Sequence, residues 1–238
     1  MLTKILFFIN FLAFGTLAHS QTASEVIQQV GKVYSLTKPL QYNSNYVLYK
    51  NATSKKAEQA YKGIFIKNEF NEVYMKIDQT EIVNSKAINL KINHAEKAIL
   101  ISNPLKNYFG NFDIKPLFEF CHIDSFIDYK TYWEITLVSK NLSNLPYSKI
   151  VLQVTKSYFL QKSTFFYSTA VNFSTDYNAP KSYYPRLEVS NTNFNRRPAN
   201  SSLFSTKSYL TTVGKNKIEK TEKLKNYEII DQRTISNK

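Results

Sequence analysis

The spacing of hydrophobic positions changes period close to the start of the chain. From Ser24 to Leu36, Val26, Ile27, Val30, Val33 and Tyr34 recur at the spacing of one helical face. Ahead of them, Thr22-Ala-Ser-Glu25 has capping-box spacing, with Ser24 as a rival cap. This pattern predicts one amphipathic helix, which must cover something apolar. Beyond it the period is two. "NYVLYK" (45–50), "YKGIFIK" (61–67), "EVYMKI" (72–77), "AINLKI" (87–92) and "AILIS" (98–102) are β-branched and aromatic runs separated by polar turns. In the second run, Tyr61, Gly63 and Phe65 share a face; in the third, Val73, Met75 and Ile77 do. These segments predict an antiparallel meander.

The alternation then breaks at "PLKNYFGNFDIKPLFEFCHIDSFIDYK". Read as a helix, Pro116 to Ile127 puts Leu117, Phe120, Ile123 and Ile127 on one face and Glu119 with His122 on the other. Strands resume at "YWEITLVSK" (132–140), "SKIVLQVTK" (148–156), "YFLQKSTFFYS" (158–168) and "PRLEVSN" (185–191). "KIEKTEKLK" (217–225) reads as a solvated arm or loop, and "NYEIIDQRT" (226–234) as a last strand. The chain is therefore expected to be mainly β with a few helices (α+β), without a fixed-period repeat.

The first residues change the picture of where this fold resides. "MLTKILFFINFLAFGTLAHSQ" has an early Lys4, an apolar run from Ile5 to Leu17, and the small residues Ala18 and Ser20 before Gln21. That is the layout of a secretory signal peptide over residues 1–20, leaving one exported domain over 21–238. Cys121 is the only cysteine, so no internal disulfide can form. The formal charge is +13, from 31 Lys+Arg against 18 Asp+Glu. A basic balance can serve nucleic acid, but only four residues are arginine and export argues against that partner. The plainer reading is a lysine-coated surface that keeps the chain soluble, with attraction to anionic lipid head groups as an addition to it.

Chemistry is sparse. The few glycines lie far apart, so neither a Walker loop nor a G-x-G-x-x-G turn is possible. His94, His122 and Cys121 are too few for an ordinary zinc site, and no cofactor is implied. Cys121 beside His122 suggests a thiol–base pair, but adjacent residues point to different sides of either a helix or a strand. A half-buried thiol is the plainer reading, and no catalysis is expected. Asn51, Asn141, Asn172 and Asn200 each begin an Asn-x-Ser/Thr sequon. Tyr and Phe number 17 each, and several strands are apolar on both faces, so something must cover both sides.

The order of export signal, amphipathic helix, meander, mid-chain interruption and further strands resembles the LolA/LolB family of periplasmic lipoprotein carriers and outer-membrane receptors. Residues 61–77, 87–102 and 149–168 are most similar, with Gly63 and Phe65 standing in the family's G-x-F strand. The resemblance implies a curved antiparallel sheet forming a half-open β-barrel around a hydrophobic cavity, lidded by helices. It also implies a periplasmic binding or carrier protein for a lipid, acyl chain or lipoprotein. Phe65, Met75, Leu90, Trp133, Leu137 and Phe165 are the expected cavity-lining residues, and Leu117, Phe120 and Ile123 the expected lid element. The sequence departs from the family after the G-x-F strand. Lys67-Asn68 and Val73-Tyr74-Met75 stand where carriers have Arg-Pro and Phe-Arg-Trp, so the family's cavity arginine is missing. The alternative is an envelope interaction protein whose barrel is filled by its own aromatics and whose basic surface docks a partner.

Overall fold

Thr22 caps the first helix, α1 (Ala23–Ser35): its side chain accepts from the Glu25 N–H while the Glu25 carboxylate accepts from the Thr22 N–H at 2.8 Å. The capping box therefore resolves in favour of Thr22 over Ser24. Val26, Ile27, Val30 and Tyr34 form the buried face of α1. The structure, a computed structural model, describes residues 21–105, 115–141, 145–176, 178–213 and 217–233. The expected signal peptide lies outside the described residues.

Most of the remaining chain forms one 12-stranded sheet. The first half is a meander: β1 (Leu40–Tyr49), β2 (Ala57–Lys67), β3 (Val73–Ile77), β4 (Thr80–Asn84), β5 (Asn89–Asn93) and β6 (Ala98–Ser102). The second half adds β7 (Cys121–Asp128), β8 (Tyr132–Ser139), β9 (Tyr147–Thr155) and β10 (Leu160–Tyr167). A small hairpin, β11 (Val171–Asn172) with β12 (Ser182–Tyr183), leads to β13 (Arg186–Asn195). β13 pairs with both β1 and β10 and so stitches the halves together. A C-terminal segment contributes the hairpin β14 (Leu210–Val213) and β15 (Ile218–Lys220), then β16 (Glu228–Asp231), which runs parallel to β6. Among the described residues β16 and β7 are the two edges, and the sheet stays open between them.

The sheet must curve. One apolar cluster joins α1 to Val73 on β3 and Cys121 on β7. Those strands are seven spacings apart in the sheet, roughly 34 Å if it were flat. A single helix about 20 Å long cannot gather such a face unless the sheet wraps around it. The concave face carries Tyr42, Phe65, Trp133, Ile135, Leu137, Leu152 and Val154. The opposite face carries a second core, in which Val83, Leu90, Ile92, Ile99 and Ile101 are covered by Tyr209, Leu210 and Leu224 of the C-terminal segment.

Two expectations are corrected here. Pro116–Ile127 is not one helix: α2 covers Lys115–Phe120, and from Cys121 the chain is the edge strand β7, paired with β8. Ile123, Phe126 and Cys121 satisfy a strand facing the concave core as well as they satisfy a helical stripe. Nor is the Lys-rich 217–225 stretch a solvated arm. β15 pairs with β14, and Leu224 is buried in the second core. One apolar residue among lysines is enough to anchor the turn.

Candidate functional site

The concave face forms a trough with two unlike ends. α1 lies across the end where β2 finishes and β10 begins. Tyr158, just before β10, accepts a hydrogen bond on its hydroxyl from Gln21 at 2.9 Å. The Leu160 N–H donates to the Tyr34 hydroxyl at 3.3 Å. Lys67, the last residue of β2, donates to the carbonyls of Tyr34 (2.6 Å) and Leu36 (2.8 Å), and Arg196 donates to Val33 O at 3.3 Å. Two cations thus satisfy the carbonyls at the negative end of α1. Under the helix, rings fill the space: Tyr42 stacks on Phe65 at 4.8 Å, and Phe159 on Phe194 at 4.7 Å. Tyr34 meets Tyr42 and Phe159 edge-on.

Toward the other end of the same strands the trough is less covered. The register of β1 with β2, regular from Leu40 to Leu48, puts Tyr46 on the face of Tyr42, and Tyr61 and Gly63 on the face of Phe65. Tyr46 and Ile77 close over Gly63: a Cβ added there would stand 3.1 Å from Tyr46 Cε2 and 3.2 Å from Ile77 Cγ1. Across the trough, Tyr147 lies 5.0 Å from both Phe165 and Tyr167, with Leu187 paired to Phe165. Tyr46, Ile77, Tyr147, Phe165, Tyr167 and Leu187 are half-buried and Tyr61 is 40% exposed. Burial raises the phenol pKa of Tyr46 and Tyr167, so both stay neutral and this half of the trough is uncharged on those walls. Ser44, at mid-trough, is occupied, donating to Asn191 Oδ1 at 2.7 Å. An aromatic, partly open groove with uncharged walls can hold an apolar chain by burial.

Of the residues singled out in the sequence, Phe65, Trp133 and Leu137 are in the concave core, and Met75 and Phe165 pack against it. Leu90 stands on the opposite face, in the second core beneath the C-terminal segment. Ile123 and Phe118 pack against the concave core, Phe120 is half-buried at the end of α2, and the side chain of Leu117 lies outside the described residues. Cys121 is buried with its thiol pKa raised by burial, while His122 is exposed on the other side of β7, so the two form no pair. Among the described residues, no group of three His, Cys, Asp or Glu is placed to hold a metal. Sequence reading missed Tyr46, Tyr147 and Leu187, which lie on strands next to those that carry Phe65 and Phe165. It also missed Lys67, whose position two residues beyond Phe65 marks a lysine on an apolar face.

Fold and groove together define an open, curved, mostly antiparallel sheet wrapped around one helix. No protein-family model matches the sequence, and no curated protein matches it. Similar solved structures include an uncharacterized conserved protein from Thermus thermophilus, at 10% identity and TM-score 0.49, covering 89% of this chain and 100% of that one. Another is a LolA superfamily protein from Nitrosomonas europaea, at 10% identity and TM-score 0.37, covering 79% of this chain and 100% of that one. A domain from Vibrio parahaemolyticus described as an outer membrane lipoprotein-sorting protein has 12% identity and TM-score 0.37, covering 77% of this chain and 96% of that one.

Proposed function

We propose that this chain is an exported, periplasmic binding or carrier protein for a hydrophobic ligand, one domain over residues 21–238 built as a half-open barrel. The observation that carries this reading is the half-covered aromatic end of the trough, continuous with the face that α1 seals. Tyr46, Tyr61, Phe165 and Leu187 would wall the ligand, with Met75 and Leu137 deeper. Each methylene buried there would contribute roughly 0.8 kcal/mol, so one acyl chain could be held without polar specificity. Native mass spectrometry of protein purified without detergent, with lipid extraction, tests it. A lipid or acylated peptide released on denaturation is expected. A ligand-free mass, with no uptake of a fluorescent fatty acid, would sink the reading.

The ring stack of Tyr34, Tyr42, Phe65, Phe159 and Phe194 supports a second reading, in which the barrel is filled by its own side chains and the protein acts by docking to an envelope partner. The same experiment separates the two, because a self-filled trough takes up nothing.

A further inference from the structure

The turns after β1 and β10 and before β2, β9 and β13 all fall at the end of the sheet opposite α1, and they touch. Arg186 donates to the carbonyls of Ala52 and Ser54, and the Tyr167 N–H donates to Pro185 O at 3.0 Å. The Lys50 ammonium lies 5.1 Å from the Tyr183 ring and 5.7 Å from that of Phe173, which joins the β11–β12 hairpin to the β1–β2 turn. The result is one surface with two properties at once.

First, it exposes apolar side chains: Tyr184 is 61% exposed and Val171 40%. Beside Tyr184 opens a cleft of about 410 Å³ walled by Phe166, Tyr167, Pro185 and Lys149. Second, it carries cations without carboxylate partners. The acids of these turns and the strand ends beside them are Glu58, Asp176 and Glu188; Glu119, exposed on α2, stands beyond β9 toward the β7 edge. Glu58 is paired with Lys50 at 3.5 Å, and Glu188 with Arg186 at 3.1 Å and Lys162 at 2.9 Å. Asp176 accepts from the Asn178 N–H. Among the described residues Lys55, Lys56 and Lys181 are exposed with no carboxylate beside them, and Lys149 rests over the Phe166 ring at 4.3 Å. Water disfavours the exposed Tyr184 and Val171, and acidic groups alone would pair only with the lysines. A bilayer accepts both features. Tyrosine partitions to the head-group level, and lysines reach anionic phosphates on flexible stems.

We propose that this end of the sheet docks on an anionic phospholipid bilayer, with Tyr184 and Val171 entering the head-group layer and Lys55, Lys56, Lys149 and Lys181 bound to lipid phosphates. Its evidence is independent of the ligand reading above, but it deepens that reading: docking would hold the open end of the trough against the membrane.

The test is co-sedimentation of the purified protein with vesicles of phosphatidylcholine alone and of phosphatidylcholine with phosphatidylglycerol, near physiological salt. Binding to the anionic vesicles is expected, and binding to the neutral ones should be much weaker. The triple variant Lys55→Gln/Lys56→Gln/Lys181→Gln should bind anionic vesicles on the order of a hundredfold less, about fivefold per lysine. Tyr184→Ser should bind several-fold less. A control triple, Lys91→Gln/Lys97→Gln/Lys130→Gln, should lose much less. These side chains are exposed, so unchanged melting temperatures verify folding. Equal binding to both vesicle types, or equal loss in the two triples, overturns the proposal. So does binding of polyglutamate through the same lysines by protein that ignores anionic vesicles. Fatty-acid uptake without vesicles keeps the two readings apart: the docking variants should retain it, and its absence in a protein that still binds vesicles would count against the trough alone.

Discussion

The ammonium of Lys67 lies 2.6 Å from the carbonyl oxygen of Tyr34, inside the apolar core. It bridges the last turn of α1 to the end of β2, and the contact to Leu36 O at 2.8 Å makes it a two-point clamp. Lys67→Met would leave both carbonyls without their donor in a place water does not reach. We expect a loss of about 2 kcal/mol in urea unfolding at neutral pH, with faster amide exchange in α1. An unchanged midpoint would show that the clamp is dispensable. The pH dependence has a definite sign. Burial, helped by the Arg196 charge, lowers the lysine pKa to about 8. The unfolded chain therefore holds this proton more tightly than the folded one. Proton linkage therefore adds to the clamp's contribution as pH rises from about 8 toward the ordinary lysine value, and this increment is lost as pH falls back through 8, leaving the hydrogen bonds themselves. The neutral amine still has two hydrogens for the two carbonyls. Urea midpoints at pH 7.5 and 9.5 should show this gain in the parent chain relative to Lys67→Met.

The clamp illustrates what the sequence makes legible. Period-two runs reveal most strands, because each strand has one face against α1 or the C-terminal segment; 98–102 is matched to the residue. β4 is missed because Thr80–Asn84 shares its short polar stretch with the turns on either side. β7 is misread because Cys121, Ile123 and Phe126 straddle a bulge between Ile123 and Ser125, which breaks strict alternation. Three of the sequon asparagines prove to be turn and cap residues. Asn51 accepts from the N–H groups of Thr53 and Ser54, Asn172 from Ser174 and Lys181, and Asn200 from Ser202. The face of Leu90 could not be read, because its strand is apolar toward the C-terminal segment, whose lysines gave no hint that it covers a core.

On the second face, Glu81 ties the C-terminal segment to the sheet. Its carboxylate accepts from the Tyr209 hydroxyl at 2.5 Å and lies 3.1 Å from His94 Nε2, while His94 Nδ1 is 2.9 Å from the Tyr227 hydroxyl. Burial alone would raise this carboxyl, but hydrogen bonds from Tyr209 and His94 and the charges of Lys76 and His94 outweigh it and hold the pKa below its ordinary value. The stability it contributes is present above the unfolded carboxyl pKa and is lost as pH falls through the lower folded one. Acid should therefore loosen residues 205–231 before the rest. Limited proteolysis from pH 6 down to pH 3 should first cut in that segment. Glu81→Gln should abolish the acid step, and cutting at α1 first would refute the assignment.

Leu90 and Phe165 provide a test of faces. Leu90→Ala hollows the second core and should cost about 2–5 kcal/mol while leaving fatty-acid uptake unchanged. Phe165 is half-buried on the trough wall. Phe165→Ala should cost less stability than Leu90→Ala, yet change uptake affinity. If Leu90→Ala, still folded at low temperature, lost uptake while Phe165→Ala did not, the groove would be on the wrong side of the sheet.

Gly63 is where the open end of the trough is most sensitive to a single carbon. A Cβ there would stand 3.0 Å from the Lys76 carbonyl oxygen, 3.1 Å from Tyr46 Cε2 and 3.2 Å from Ile77 Cγ1. The first is backbone of the paired strand β3 and can yield only if the ladder shifts; the other two are side chains that can turn away. In an unstrained strand, replacing glycine with alanine should help by roughly 0.5–1 kcal/mol. Crowding reverses that sign here, and we expect Gly63→Ala to lose about 1 kcal/mol. Turning Tyr46 away would also reshape the groove wall, so uptake should weaken more than stability does. The pair Gly63→Ala/Tyr46→Ala removes the main side-chain conflict, and its stability should exceed the sum of the single effects. A strictly additive cycle would mean that the carbonyl of Lys76, not the ring of Tyr46, sets the need for glycine.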